Sequence, residues 1–319
     1  MMCTIKRCLA LLLGLWMVLA LAACNGGNED GTTTEASTTT AAEEETTTEE
    51  ETTTEEETTT AEEVVVVPPT REEMAADMED LDVLAIGDSL FHGDFLEDDQ
   101  TWLALLAAEC GWNMTNLGRD GWTVAYNPGA YPAGATVRTS MYNKLFHDSN
   151  YAFGSSSYYN YGFPQWKTAE DVDLIILEGG TNDYGWGIPL GTVFSNDGST
   201  LLGAWNLMIE ELLTRYPNAK IVLLTSWYNT GSKDTGSRMD FVANGMINLY
   251  QTHYAENDRI DLIDAGNPEV SGVNMQSASF LASYAKNGTD INHLNAAGME
   301  LMAESMLPLI WDVVINQAQ

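Results

Sequence analysis

The sequence predicts an α/β fold: a parallel sheet of five strands, covered by helices on both faces. Three observations carry that expectation. Five short apolar runs, at 81–86, 113–117, 172–177, 221–225 and 259–263, recur along the last 250 residues or so of the 319-residue chain. They are nearly continuous rather than alternating with polar residues, as strands buried on both faces must be. Between them stand amphipathic stretches at 102–108, 201–216, 239–255 and 296–315, long enough for helices.

The chain opens differently. Lys6 and Arg7 precede an apolar stretch, residues 9–22, that is short for a membrane span. It ends in Leu21-Ala22-Ala23-Cys24, which resembles the lipobox of bacterial lipoproteins, where the cysteine is lipidated and becomes the first residue. The alternative is an ordinary signal peptide cut after Ala20-Leu21-Ala22. Residues 1–23 are therefore expected to be a signal segment, and 24–69 a spacer running from a lipidated Cys24. Cys3 and Cys8 would leave with the signal and Cys24 would carry lipid, so Cys110 stands alone, expected in the core rather than in a disulfide.

The spacer is almost wholly Thr and Glu, with EEETTT recurring, and residues 28–63 hold 14 acids and no Lys or Arg. Like-charge repulsion and low hydropathy deny it a core. Pulled straight, it would reach on the order of 150 Å from an anchor. From Val64 onward, 33 acids still face 11 bases. Such a surface repels nucleic acid and anionic lipid headgroups, so the membrane is expected as a partner through the lipid anchor only, and neutral substrates suit the chain best.

The domain, 70–319, begins at Thr70-Arg71-Glu72-Glu73, a capping box that predicts a first short helix. In a sheet of this class the ligand crevice lies beyond the carboxyl ends of the strands. The first run stops at Gly87-Asp88-Ser89-Leu90, and the second leads into Gly118-Arg119-Asp120-Gly121-Trp122-Thr123. The third leads into Gly179-Gly180-Thr181-Asn182-Asp183, and Asp290-Ile291-Asn292-His293 precedes the last helix. With these four blocks in order, the chain from Leu81 onward resembles the SGNH (GDSL) hydrolases, a family of esterases. The resemblance implies a three-layer α/β/α sandwich with a flavodoxin-like sheet. It also implies Ser89 as nucleophile, His293 as base, Asp290 as the residue that orients the imidazole, and an oxyanion hole from the Ser89 and Gly121 N–H groups and the Asn182 amide.

The residue types suit that chemistry. A serine at a strand-to-helix turn is exposed, and the helix amino terminus favours developing negative charge. Asp290 lies three positions before His293 and can meet the imidazole across a turn. Gly121 would spare the substrate an obstructing side chain. Gly87 permits the turn, and Asp88 is expected to bond backbone N–H groups around it. Nothing in the set calls for a metal or a cofactor. His92 reads as a rim or packing residue, and His147 and His253 as surface or packing histidines in a loop and on a helix. Glu97-Asp98-Asp99 reads as a solvated helix start.

Residues 122–166 hold 12 of the 30 aromatics, set among Gly, Ser and Asn. Tyr and Trp combine an apolar face with a polar edge, which suits stacking on sugar rings. Trp122, Trp186 and Trp227 are the candidate substrate-binding aromatics, while packing of a long insertion would explain the cluster equally well. The leading expectation is an exported, lipid-anchored serine esterase, on the extracellular face of a bacterial membrane, that removes short acyl groups, acetyl first, from a polysaccharide. A lipase, lysophospholipase or thioesterase is the second reading, and a non-catalytic glycan-binding lipoprotein the third. Intact-mass analysis of the membrane fraction should find a chain that begins at acylated Cys24; an unmodified chain starting elsewhere would remove the anchor.

Overall fold

The computed structural model describes residues 68–315, apart from residue 94 and segments 127–139, 148–166, 169–170 and 228–232. The elements in chain order are α1 (Arg71–Asp77), β1 (Asp82–Ile86), α2 (Ser89–His92), α3 (Trp102–Cys110), β2 (Asn113–Asn116) and α4 (Met141–His147). There follow β3 (Leu174–Glu178), α5 (Thr181–Gly185), α6 (Leu201–Arg215), β4 (Lys220–Leu224), α7 (Lys233–His253) and β5 (Ile260–Ile263). Then come α8 (Pro268–Ser271), α9 (Ala278–Tyr284) and α10 (Ala296–Val314).

The five strands form one sheet in the order β2-β1-β3-β4-β5, every neighbouring pair parallel. β1 sits between β2 and β3, with Leu84 opposite Thr115 on one side and Ile175 on the other. Side chains alternate between two cores, as the pleat requires. Val83, Ala85, Leu174, Ile176, Val222 and Leu224 pack on α3 and α10. Leu84, Ile86, Ile175, Leu177, Ile221 and Leu223 pack on α6 and α7. The molecule is thus the three-layer α/β/α sandwich expected from the sequence.

Local chemistry sets the element boundaries. Thr70 and Glu73 form the capping box of α1, and Thr101 caps α3 by accepting from the Ala104 N–H at 3.2 Å. Thr200 caps α6 and Asn295 caps α10 in the same way. Cys110 ends α3 in the core, 2% exposed. Asp98–Gln100 form a 3-10 turn whose Glu97–Gln100 pair makes a capping box, the solvated start expected there.

Several elements differ from the expectation. α7 begins at Lys233, six residues before the predicted start, because the opening Lys-Asp-Thr-Gly-Ser-Arg shows no apolar periodicity. The short helices α2, α4, α5, α8 and α9 carry too few turns for a periodic signal. His147, expected in a loop, is the last residue of α4. Most of the aromatic insertion, including Tyr131, Tyr158, Tyr159, Tyr161 and Trp166, lies outside the described residues, as does Tyr228.

The start of α10 is locked against the end of α9. The Asn295 N–H donates to the Tyr284 carbonyl at 2.8 Å, and the Asn295 side chain donates to Ser283 O and Ala285 O. A Cβ on Gly298 would lie 2.4 Å from that same Tyr284 oxygen and 2.9 Å from Leu294 Cβ, so only glycine fits. Gly298→Ala should lower stability by about 1–3 kcal/mol through overpacking, read as a shift of the urea midpoint at unchanged slope. An unchanged midpoint would mean that this contact yields freely.

Candidate active site

β1 ends at Ile86, and the next turn lifts Ser89 to the carboxyl edge of the sheet. Asp88, fully buried, caps this turn: its Oδ1 accepts from the Leu90 N–H at 2.9 Å. The structural role expected for Asp88 is what the geometry displays. α2 is only four residues long and stops at Gly93. The amino-terminal effect at Ser89 therefore comes from individual N–H groups of one turn rather than from a long helix dipole, a correction to the sequence reading.

Ser89 Oγ lies 3.0 Å from His293 Nε2, and His293 Nδ1 lies 3.2 Å from Asp290 Oδ2. The chain from Lys286 to Asn295 explains how two residues three apart reach each other. Ala285 pairs with Leu294, and the Lys286 N–H donates to the His293 carbonyl at 2.9 Å, closing a loop. Inside it, Asp290 Oδ1 accepts the Asn292 and His293 N–H groups at 2.7 and 3.0 Å. Burial alone would raise the Asp290 carboxyl, but these amides and the imidazole outweigh it and hold it below the ordinary carboxylate value.

Asn182 stands on α5, directly after β3. Its Nδ2 donates to Trp122 O at 2.9 Å and to Asp88 Oδ2 at 3.1 Å. Gly121 has φ of 71°, which disfavours any residue with a side chain, and a Cβ there would point into open space. Backbone conformation, as well as room for a ligand, thus calls for glycine at this position. Among the described residues, neither the Ser89 nor the Gly121 N–H has an acceptor. The Asn182 side chain thus bridges the neighbours of both these amides, Asp88 next to Ser89 and Trp122 next to Gly121.

Of the candidate aromatics, Trp186 is 49% exposed and closes the turn of helix that bears Asn182. Trp122 and Trp227 are corrected: they are 2% and 3% exposed and cannot serve as open stacking platforms. Trp227 instead donates its indole N–H to the Asn292 carbonyl at 2.8 Å, pinning the histidine loop. Trp122 contributes its carbonyl to Asn182. His92, read as a rim or packing residue, pairs with Asp120 at 2.9 Å beside Gly121. His253 packs at the far end of α7, its Nε2 2.8 Å from Val193 O.

Two acids that the sequence reading left without a role are buried here. Asp183 accepts the Val124 and Ala125 N–H groups at 2.7 and 2.9 Å, tying the segment after Gly121 to the helix turn of Asn182. Burial pushes its carboxyl up to about 7, against the pull of those amides. Glu178 closes β3 and accepts from the Ser226 hydroxyl. Its signal in the sequence is an acid at the end of the run Leu174-Ile175-Ile176-Leu177.

A serine, an imidazole and a carboxylate in one hydrogen-bonded line, at the carboxyl edge of a parallel sheet, define the class of serine-dependent acyl hydrolases. Residues 85–301 match the GDSL-like lipase/acylhydrolase family, and the chain belongs to it, a carboxylic ester hydrolase. No curated protein matches the chain. Among solved structures, one is 22% identical with a TM-score of 0.55, covering 75% of this chain and 98% of that one. A protein from Lactobacillus plantarum is 20% identical with a TM-score of 0.53, covering 73% and 97%. A family two carbohydrate esterase from Cellvibrio japonicus is 17% identical with a TM-score of 0.48, covering 76% of this chain and 63% of that one. At such identities the first two share the fold and no more.

The geometry predicts that a fluorophosphonate probe labels one serine. Ser89→Ala should abolish labelling, and His293→Ala should slow it about 10²–10⁴-fold. Label retained in Ser89→Ala would place the nucleophile elsewhere.

Proposed function

We propose that the protein hydrolyses short acyl esters, acetyl above all, carried on a carbohydrate, and that it works from the outer face of a bacterial membrane through lipid on Cys24. The hydrogen-bonded line Ser89–His293–Asp290, with steps of 3.0 and 3.2 Å, carries the catalytic half of this reading. As Ser89 Oγ attacks the ester carbonyl, its proton passes to His293 Nε2. Asp290 accepts a hydrogen bond from the Nδ1–H and so fixes the imidazole with Nε2 toward the serine. The oxyanion is received by the Ser89 and Gly121 N–H groups and by the Asn182 amide, which gives up its 3.1 Å bond to Asp88 Oδ2 to reach it, each such donor being worth about 10²–10³ in turnover. His293 returns its proton to the sugar hydroxyl, which leaves. Water then attacks the acyl-serine, giving its proton to His293, and acetate departs as Ser89 regains a proton.

The substrate half rests on Trp186. A half-exposed indole beside Asn182 offers a sugar ring a flat apolar face with a polar edge nearby. The excess of acids in the domain fits a neutral polymer and opposes anionic headgroups. Rates on p-nitrophenyl esters of rising chain length, followed by acetate release from acetylated xylan, with anionic acetylated pectin as the contrast, test the proposal. The expected outcome is a preference for acetyl, release of polymer-bound acetate, and a fall in kcat of up to about 10⁴-fold in Asp290→Asn, which keeps the shape but not the charge. Trp186→Ala should raise KM on the polymer and leave p-nitrophenyl acetate untouched. Preference for long acyl chains would move the substrate to lipids, and negligible rates in every form would leave glycan binding.

A further inference from the structure

The Gly121 amide gets no support from packing at its own position. A Cβ built there would meet nothing within 4 Å, and φ of 71° is left-handed backbone. The direction of its N–H is therefore set by the residues on either side. Behind it, the Trp122 carbonyl is tied to Asn182. In front, the Gly121 N–H shares one peptide plane with the Asp120 Cα and carbonyl, so whatever restrains Asp120 restrains that plane. The Asp120 carboxylate lies 2.9 Å from His92 Nδ1. A carboxylate only accepts, so the imidazole donates its Nδ1–H.

His92 ends α2, the single turn that Ser89 begins, so the two side chains stand three residues apart on one helical face. The loop after β2 lies directly against that turn. A Cβ on Gly118 would come within 2.7 Å of Phe91 Cβ and 3.0 Å of the His92 nitrogen. Two stitches hold the start of the loop there. Asn116 donates to the Phe91 carbonyl and accepts from the Gly118 N–H, both at 2.8 Å, and the Arg119 N–H donates to the Gly87 carbonyl at 3.2 Å. Both stitches fall before Asp120. The His92–Asp120 bond is a third, and it is made by the residue whose peptide carries the oxyanion donor.

We propose that His92 and Asp120 are positioning residues, whose bond sets the Gly121 N–H relative to the turn that carries Ser89, so that donor and nucleophile meet the ester together. The inference rests on the ester-hydrolase reading above. An aimed donor counts most when the oxyanion forms, so loss of the bond should lower kcat and leave KM on a small ester nearly unchanged. The bond, rather than the charge, does the positioning. Asparagine at position 92 presents Nδ2 where the imidazole has Nδ1, and asparagine at 120 keeps Oδ1 as the acceptor. The two side chains are 26% and 42% exposed, so trimming either opens no cavity in the core.

The test is kcat and KM on p-nitrophenyl acetate and on acetylated xylan for wild type, His92→Ala, Asp120→Ala, the double alanine variant, His92→Asn and Asp120→Asn, with thermal unfolding of each. It is joined by NMR of protein labelled with nitrogen-15 glycine, the Gly121 signal being assigned by its loss in Gly121→Ala. Each single alanine variant should lose about 10–100-fold in kcat on both substrates with KM little changed. The double variant should lie within about three-fold of the poorer single one, because both changes remove the same bond. Each asparagine variant should stay within about three-fold of wild type. The Gly121 signal should be sharp in wild type and His92→Asn and broadened or split in His92→Ala. Losses that multiply in the double variant, asparagine variants as poor as alanine, or a Gly121 signal equally sharp in every form would each overturn the proposal. A loss confined to KM on xylan would overturn it too, and make His92 a sugar contact. If His92→Ala does not fold, Asp120→Ala against Asp120→Asn decides, with the Gly121 signal read in those two. Should wild type show no Ser89-dependent turnover, the esterase reading fails, and the Gly121 signal still reports whether the pair holds that amide.

Discussion

β1 and β3 have no side that faces water. Val83 and Ala85 point into one core, Leu84 and Ile86 into the other, and Leu174 to Leu177 repeat the pattern next door. Strands buried this way need helices on both faces, and helical crossovers make them parallel. Every strand then delivers the chain to the same edge. From β1 the chain moves outward to β2, then back past β1 to β3, so the order reverses between β1 and β3. Ser89 follows one of these strands and Asn182 the other, so the crevice that opens there has a nucleophile on one side and an amide donor on the other.

Topology brings the loops to one edge, but it does not set them to within a hydrogen bond. That precision comes from polar groups spent on backbone. Asp183 clamps two consecutive amides of the Gly121 segment, and Asp290 clamps two amides of its own loop while facing His293. Trp227 fixes the Asn292 carbonyl, and Asn295 fixes three acceptors between Ser283 and Ala285. Each bond contributes about 0.5–1.5 kcal/mol to stability. Their larger effect is to leave Ser89, His293 and the donors little freedom, which is what a preorganised site requires.

What the sequence makes legible follows from what leaves a local trace. The buried strands β1, β3 and β4 write nearly continuous apolar runs, β2 and β5 at the sheet edges write weaker ones, and the four polar blocks mark Ser89, Gly121, Asn182, Asp290 and His293. The long helices α3, α6 and α10 have visible periodicity and caps. One-turn helices such as α2 and α5 do not, since a single turn has no period. Trp122 and Trp227 show the limit more sharply. An indole in a loop reads the same whether it meets a ligand or a neighbouring carbonyl, and only the tertiary structure reveals that Trp227 is spent on Asn292. Glu178 escapes for a related reason: an acid at a strand end looks like a solvated loop residue until the tertiary structure buries it.

Three carboxyl groups, Asp88, Glu178 and Asp183, are buried behind the serine, and they are not there for stability. Asp183 shows the sign. Its carboxyl is raised from 3.8 to about 7, so the folded state holds a proton that the unfolded chain releases, and stability declines as the pH rises through that window. A fold that only needed to persist would fill these positions with apolar side chains. What the acids supply is direction. A carboxyl can hold two amides at once, as Asp183 does, or divide its oxygens between a turn and a side-chain amide, as Asp88 does. No apolar residue can aim a donor. The same groups must not carry their full charge, because a site built to receive an oxyanion is weakened by every negative charge set behind it. An acid that aims a donor while its ionisation is opposed serves both demands, and burial, the largest cause of the raised values of all three, supplies that opposition.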